Sequence, residues 1–242
     1  MIVGMVEQAV LSVRGEARLT VPPDFVRLHC DVRVTAGSKV DALAGVRAAQ
    51  QRLTGALTDL GGVVLTVESR RSALTWSMGS VGSHEEHDFD EMTGRHGPTG
   101  RVMANGAVVI TARDLAVLTG VAGALASVEH LHVEHVSWHV DSDNPAWREV
   151  RADAIAAAID KGRDYAAALG GTVTRVEHVA DAGLLGAGGE DSVAHAVSLG
   201  FASPASAEGA LGPGDTPALD PVPQELHAVV EARLAADVAP LN

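Results

Sequence analysis

The chain has 242 residues, a length typical of one large domain or two small interleaved ones, and 46% of them are hydrophobic, so it can bury a substantial core. Its formal net charge is −13, with 18 lysines and arginines against 31 acidic residues. This acidic balance argues against a nucleic-acid partner, because the phosphate backbone would meet a repulsive field.

The N-terminal segment predicts neither export nor membrane insertion. Residues 1–6 are apolar but include no basic residue, and Glu7 interrupts the run before it reaches the length of a signal peptide. No stretch of the sequence approaches the roughly 18 uninterrupted apolar residues that a membrane-spanning helix needs. We therefore expect an acidic, cytoplasmic protein with no membrane span.

Two segments near the N-terminus alternate between apolar and polar residues, which is the pattern of β-strands with one buried face. They cover residues 11–21 and 26–34, and the turn-forming residues Pro22-Pro23-Asp24 lie between them. We predict that the two strands form a hairpin. Cys30 belongs to the apolar set of the second strand, so we expect a buried thiol with no redox role.

The remaining sequence predicts an α+β order of elements. Ser38 is a candidate N-cap, with Asp41 in the first helical turn, and Gly61-Gly62 ends that helix. Asp143 or Asn144 can cap a later helix that starts at Pro145 and runs to residue 169. The other predicted elements are strands over 63–76, 102–111, 130–140, 173–179 and 224–234, and a short helix over 113–127.

We predict antiparallel sheets backed by helices, arranged as two interleaved βαβ-type subdomains. The first α+β subdomain comprises residues 8–79 and 143–236, and a central strand-helix-strand subdomain comprises residues 100–142. Residues 80–99 are polar and residues 182–223 are rich in Gly, Ala, Ser and Pro, so both segments are expected to be flexible loops.

Several local strings resemble the SIMPL-domain family, and the resemblance covers nearly the whole chain. It implies two joined α+β parts with antiparallel sheets, a mostly undefined biochemical function and, for some members, assembly into large rings. Many members carry a signal peptide, from which this N-terminus departs. The strings are Leu11-Ser12-Val13-Arg14-Gly15-Glu16-Ala17, Val21-Pro22-Pro23-Asp24, Leu60-Gly61-Gly62, Ala104-Asn105-Gly106, Arg113-Asp114-Leu115 and the run from Arg151 to Gly170.

The polar segment 80–99 contains the first candidate metal site. His84 and His87 stand three residues apart among carboxylates, with His96 further along, and imidazoles so placed can converge on a divalent cation. The spacing differs from the zinc-protease signature, in which the histidines are four apart on a helix. The alternative is a solvated acidic loop, which is the usual role of a charge run.

A second histidine cluster lies in the strand predicted over residues 130–140. On a regular strand His130 and His132 share one face, whereas His135 and His139 share the other. The apolar residues of this strand change parity in its middle, which predicts a β-bulge near Glu134-His135 that brings the histidines to a common face. This face is either the polar exterior of an antiparallel sheet or a pH-sensitive interface or ligand site.

No nucleophile motif, phosphate-binding loop or dinucleotide fingerprint is visible in the sequence, so it predicts no catalytic residue and no cofactor. We expect a non-enzymatic, self-assembling structural or interaction protein, with a homo-oligomer as its predicted state. The alternative is a metal-binding or ligand-binding protein linked to stress protection. A hydrolase would need an activated nucleophile that the sequence does not offer.

Overall fold

The computed structural model describes residues 7–90, 95–185 and 219–239. Within these ranges the chain is an α+β protein that divides into two compact units. The strands are β1 (Glu7–Val21), β2 (Phe25–Ala36), β3 (Val63–Val64), β4 (Leu74–Asp90), β5 (Arg95–Ala112), β6 (Leu131–His139), β7 (Thr172–Asp181) and β8 (Gln224–Val238). The helices are α1 (Lys39–Asp59), α2 (Leu118–Ala126) and α3 (Ala146–Ala168), and a short 3-10 turn, Leu115–Val117, precedes α2.

The first unit is a three-stranded antiparallel sheet in the order β1-β8-β7 with α3 on one face. Apolar residues alternate along β1 and β8 and meet the alanine-rich side of α3. The helix lies very close to the sheet at Gly15, where an added Cβ would collide with the carbonyl oxygen of Ala154 and the amide nitrogen of Ala158. Small residues on both elements allow this approach.

The second unit is a five-stranded sheet in the order β3-β4-β5-β2-β6, with α1 and α2 contributing to a core on one face. The face of β2 towards the helices is entirely apolar, and the opposite face carries mainly polar and charged side chains. The largest fully buried side chains of this core are Val26, Leu28, Val32, Val46, Leu53, Leu57, Leu74, Val108, Ile110 and Val121.

The predicted start and end of α1 are confirmed, and one of the two side chains predicted at the start of α3 forms a hydrogen bond there. The side chain of Ser38 accepts a hydrogen bond from the backbone N–H of Asp41 at 3.2 Å, and Gly61 after α1 has a φ of 79°. At the start of α3, the Asn144 side-chain oxygen accepts from the backbone N–H of Ala146 at 2.9 Å. Of the two predicted caps for α3, Asn144 therefore forms this bond.

The predicted hairpin of the first two strands is wrong. β1 pairs along its whole length with β8, and β2 pairs with β5 and β6 in the other sheet. Alternation shows that each segment has one apolar face, but several other segments of the chain share that pattern and could equally pair with it. Since the pairing of β1 with β8 joins residues as far apart as Arg14 and Glu231, no local signal specifies it.

The predicted loop over residues 80–99 is also wrong, because β4 runs to Asp90 and β5 starts at Arg95. The single strand predicted over 63–76 is instead the short β3 followed, after a connection, by the start of β4. Of the second predicted loop, 182–223, residues 186–218 lie outside the described residues.

The two units also divide the chain differently from the predicted subdomains. β2, α1, β3 and β4 belong to the same unit as β5, α2 and β6, not to a unit with α3, β7 and β8. The reason is the strand pairing, because β2 lies between β5 and β6 and so joins the N-terminal and central segments in one sheet.

Candidate functional site

A β-bulge in β6 determines which of its side chains lie on the polar face of the five-stranded sheet. β6 pairs with β2 so that His29 is opposite His135 while Cys30 is opposite Val133, which leaves Glu134 as the extra residue. One extra residue reverses the alternation of a strand. His132 and His135 therefore share the polar face, as the parity of the apolar residues predicted.

We call the polar surface over β2 and β6 the histidine face, defined by His29, His132, His135 and His139. The rings of His29 and His135 have centroids 6.1 Å apart and are tilted by 46°. At the end of β6, the ring of His139 stacks on Phe25 with centroids 4.8 Å apart. The structure thus brings together three of the four histidines predicted to cluster, and adds one from β2.

The fourth predicted member, His130, lies just before β6 and outside this face. It has a left-handed φ of 65°, and its carbonyl oxygen accepts a hydrogen bond from the backbone N–H of Arg33 at 2.9 Å. His29 was missed from the sequence. It stands in the polar set of β2, but only the pairing of β2 with β6 shows that it belongs with the cluster.

Two of the four imidazoles on this face, those of His29 and His139, have a lowered pKa. Burial, followed by the positive charge of Arg27 and then by His135, lowers the pKa of His29. Burial also lowers the pKa of His139, with Arg27, His29 and His135 adding to it in that order. A neutral imidazole nitrogen can accept a hydrogen bond or bind a metal ion, so these rings are available for either at neutral pH.

A carboxylate lies beside the histidines on the same face. Asp31 is opposite His132 and is 9% exposed. Its Oδ2 accepts from Arg33 Nε at 2.8 Å, whereas its buried Oδ1 has no hydrogen-bond partner. Arg33 also donates through Nη2 to Glu134 Oε1 at 2.6 Å, so one guanidinium holds two carboxylates next to the imidazoles.

The other predicted metal candidates lie on the β4–β5 hairpin. His84 is opposite Met103 and His87 is opposite Pro98, and both side chains are exposed. The pairing of β4 with β5 shifts register between Glu85 and His87, so strand alternation does not decide whether these two imidazoles share a face. His96 pairs through its backbone with Phe89, and the structure does not describe its side chain.

Chemistry beyond these histidines is sparse in the described part of the chain. No group of three or more His, Cys, Asp or Glu side chains there is placed to hold a metal ion. Ser137 Oγ lies 2.9 Å from His139 Nε2, within the distance of a nucleophile and its base, but Ser137 is buried in the sheet. Cys30 is buried in the core, as predicted, and this burial raises the pKa of its thiol to about 12.

Fold and site together define an α+β protein of two sheet-and-helix units with a histidine-bearing polar face. The family model for SIMPL, described as a protein of unknown function (DUF541), matches residues 11–234, and the chain belongs to this family. No curated protein matches the sequence. Among the described residues, no helix is long and apolar enough to cross a membrane.

Proposed function

We propose that this chain is a non-enzymatic interaction protein that assembles with copies of itself through the open edge of β4. The observation that supports the proposal is the unequal length of neighbouring strands. β3 pairs with Thr75 and Trp76 only, so residues 77–90 of β4 have no strand on that side in the described structure. We call these residues the β4 edge.

The distal half of the β4–β5 hairpin is two-stranded. β2 pairs with β5 only as far as Val102, which is opposite Ala36, whereas β4 and β5 remain paired to Asp90 and Arg95. An isolated two-stranded ribbon is marginally stable in water. A third strand from a second copy would add backbone hydrogen bonds where the β4 edge has none within its own sheet.

The side chains near the start of the β4 edge favour such a contact. Met78 and Val81 are apolar residues of β4, yet 52% of Met78 and 38% of Val81 is exposed. Two β4 edges can pair antiparallel about a two-fold axis, which satisfies both copies at once and closes the assembly. Further contacts would be needed for anything larger than a dimer.

The test is the mass of the protein in solution, measured by light scattering over a range of concentrations. The variant Met78→Lys/Val81→Lys places two charges on the β4 edge, and charges on an edge strand oppose pairing. Val176→Lys is the matched control, because Val176 is 45% exposed on β7, an edge strand of the other sheet.

We expect the β4 variant to lower the mass and the control to leave it unchanged. A wild-type monomer at all concentrations would contradict self-assembly. An oligomer that only Val176→Lys dissociates would keep self-assembly but move the contact to β7. Circular dichroism of each variant separates loss of contact from loss of fold.

The alternative function, metal or ligand binding by the hairpin histidines in stress protection, has less support, since both side chains are exposed and no third described His, Cys, Asp or Glu joins them in a metal-binding group. It predicts a stoichiometric divalent ion that survives extensive dialysis. The double variant His84→Ala/His87→Ala should then lose the ion, and full retention by this variant would rule the hairpin out.

A further inference from the structure

We propose that His29 and His135 form a binding site for a divalent transition-metal ion of the Zn²⁺, Ni²⁺ or Cu²⁺ type, held between β2 and β6. The two residues are direct partners across an antiparallel ladder, so the backbone fixes the distance between their Cα atoms. Their ring centroids are 6.1 Å apart. The proposal goes beyond self-assembly and does not depend on it.

This separation suits two imidazoles on one ion. A Zn–N bond of about 2.0–2.1 Å, with each nitrogen about 1.1 Å from its ring centroid, puts the ion about 3.2 Å from each centroid. Two rings on one ion then have centroids about 5.2 Å apart at a tetrahedral angle and about 6.4 Å apart in a linear arrangement. The observed separation of 6.1 Å lies within this range, so the two ring centroids need not move apart or together for both imidazoles to reach one ion.

The charges around the pair have opposing effects. Arg27 precedes His29 on the same face, and its positive charge opposes a bound cation. Asp31 follows His29 on this face, with its buried Oδ1 unpartnered, and Glu134 stands next to His135. These two carboxylates balance the two positive charges of Arg27 and Arg33, and Arg33 pairs with each of them.

Asp31 lies near the histidine pair on the same face. Alternate residues on a strand are about 7 Å apart, which is too far for Asp31 to share the ion directly with His29 but suits a bridge through bound water. Two imidazoles also favour Zn²⁺, Ni²⁺ and Cu²⁺ over Mg²⁺ and Ca²⁺, which prefer oxygen ligands.

The proposed site has two protein ligands, whereas a structural zinc centre has four. No third His, Cys, Asp or Glu of the described residues joins the pair. Water must therefore occupy the remaining positions, and the ion stays accessible from solvent. Such a site is a reversible binding site rather than a centre on which folding depends.

Titration calorimetry with ZnCl2 at pH 7.5, on the full chain stripped of metal, tests the proposal. We expect one site per chain, and at least about a tenfold weaker affinity in His29→Gln and in His135→Gln, because loss of even an outer-shell partner costs 10–100-fold. The control His84→Gln/His87→Gln removes two exposed histidines from the hairpin and should leave this site intact.

Thermal unfolding provides a second readout. Zn²⁺ should raise the melting temperature of the wild-type protein by binding the folded state, and each single variant should lose most of that rise. Without metal, the variants should unfold near the wild-type temperature, since neither side chain is fully buried: His29 is exposed and His135 is half-buried. Equal affinity in the wild type and both single variants, or loss of binding only in the hairpin control, would overturn the proposal, as would no binding at millimolar Zn²⁺.

Discussion

His135 lies directly across the ladder from His29 because Glu134 is inserted as an extra residue in β6. Before the bulge, Leu131 and Val133 point towards the core, and after it Val136 does so. The bulge thus keeps every apolar residue of β6 inside while it aligns His132 and His135 on the polar face. One residue therefore serves both the packing of the sheet and the composition of its surface.

Deletion of Glu134 tests the role of the bulge. Without the extra residue, β6 can keep only one of its two apolar sets inside, so Leu131 and Val133 would turn towards solvent. We expect a loss of about 2 kcal/mol or more in the free energy of unfolding, because burial of such a side chain contributes about 1.5–3 kcal/mol. Urea unfolding followed by circular dichroism measures the change.

The control for this deletion is Glu134→Ala, which keeps the residue count and removes the carboxylate. Its ion pair with Arg33 is exposed, and exposed pairs contribute about 0.2–1 kcal/mol. A small effect of Glu134→Ala beside a large effect of the deletion assigns the stability to strand register. Equal effects would show that the ion pair, and not the bulge, matters.

Gly15 and Gly55 form a matched pair for the packing of α3 on β1. An added Cβ at Gly15 would collide with the backbone of Ala154 and Ala158, whereas at Gly55 on α1 it would meet nothing within 4 Å. Gly15→Ala should destabilise the protein by about 1–3 kcal/mol through overpacking. Gly55→Ala should stabilise it by up to about 1 kcal/mol, because alanine favours the helix.

Thermal or urea unfolding of the two alanine variants decides between these expectations. The same substitution is made in both, so a difference in sign must come from the surroundings. A neutral Gly15→Ala would mean that α3 can move away from β1 at little cost.

The stability of the protein should fall as the pH drops below the ordinary histidine value of 6.5. In the folded protein, burial and the nearby charge of Arg27 hold the pKa of His139 below that value. The unfolded chain therefore binds a proton at this site more readily, and acidification favours unfolding. His29 has the same direction of shift, so it adds to the effect.

The measurement is the urea midpoint at pH 7.5 and at pH 5.5. We expect His139→Gln to show a smaller drop between the two pH values than the wild type, whatever its stability at pH 7.5. His132→Gln controls for the loss of a histidine from the same strand. An identical drop in wild type and His139→Gln would contradict the assignment.

Local signals predicted the elements whose cause is local. The Ser38 cap of α1, the hydrogen bond of Asn144 at the start of α3 and the bulge at Glu134 each follow from side chains within a few residues. The parity change in β6 is a pattern within one strand, and it was readable because one face of that strand is apolar. Membership of the SIMPL family was likewise predictable, from strings spread along the chain.

Partners distant in the chain could not be predicted in the same way. The antiparallel partner of β1 is β8, near the other end of the sequence, and nothing in β1 specifies that choice over β2. The distal β4–β5 hairpin was missed because its strands are polar on both sides and so lack the alternation of a half-buried strand. His29 was missed because its neighbour His135 comes from a strand far along the chain, as β8 does for β1.

The mass of the purified protein in solution tests the central claim of self-assembly most directly. Light scattering over a range of concentrations should give a mass well above the 24.9 kDa of one chain, unchanged by a metal chelator and lowered by Met78→Lys/Val81→Lys. If the Val176→Lys control keeps the mass of the wild type, the contact is assigned to the β4 edge. A mass of one chain for the wild type at every concentration would contradict the account.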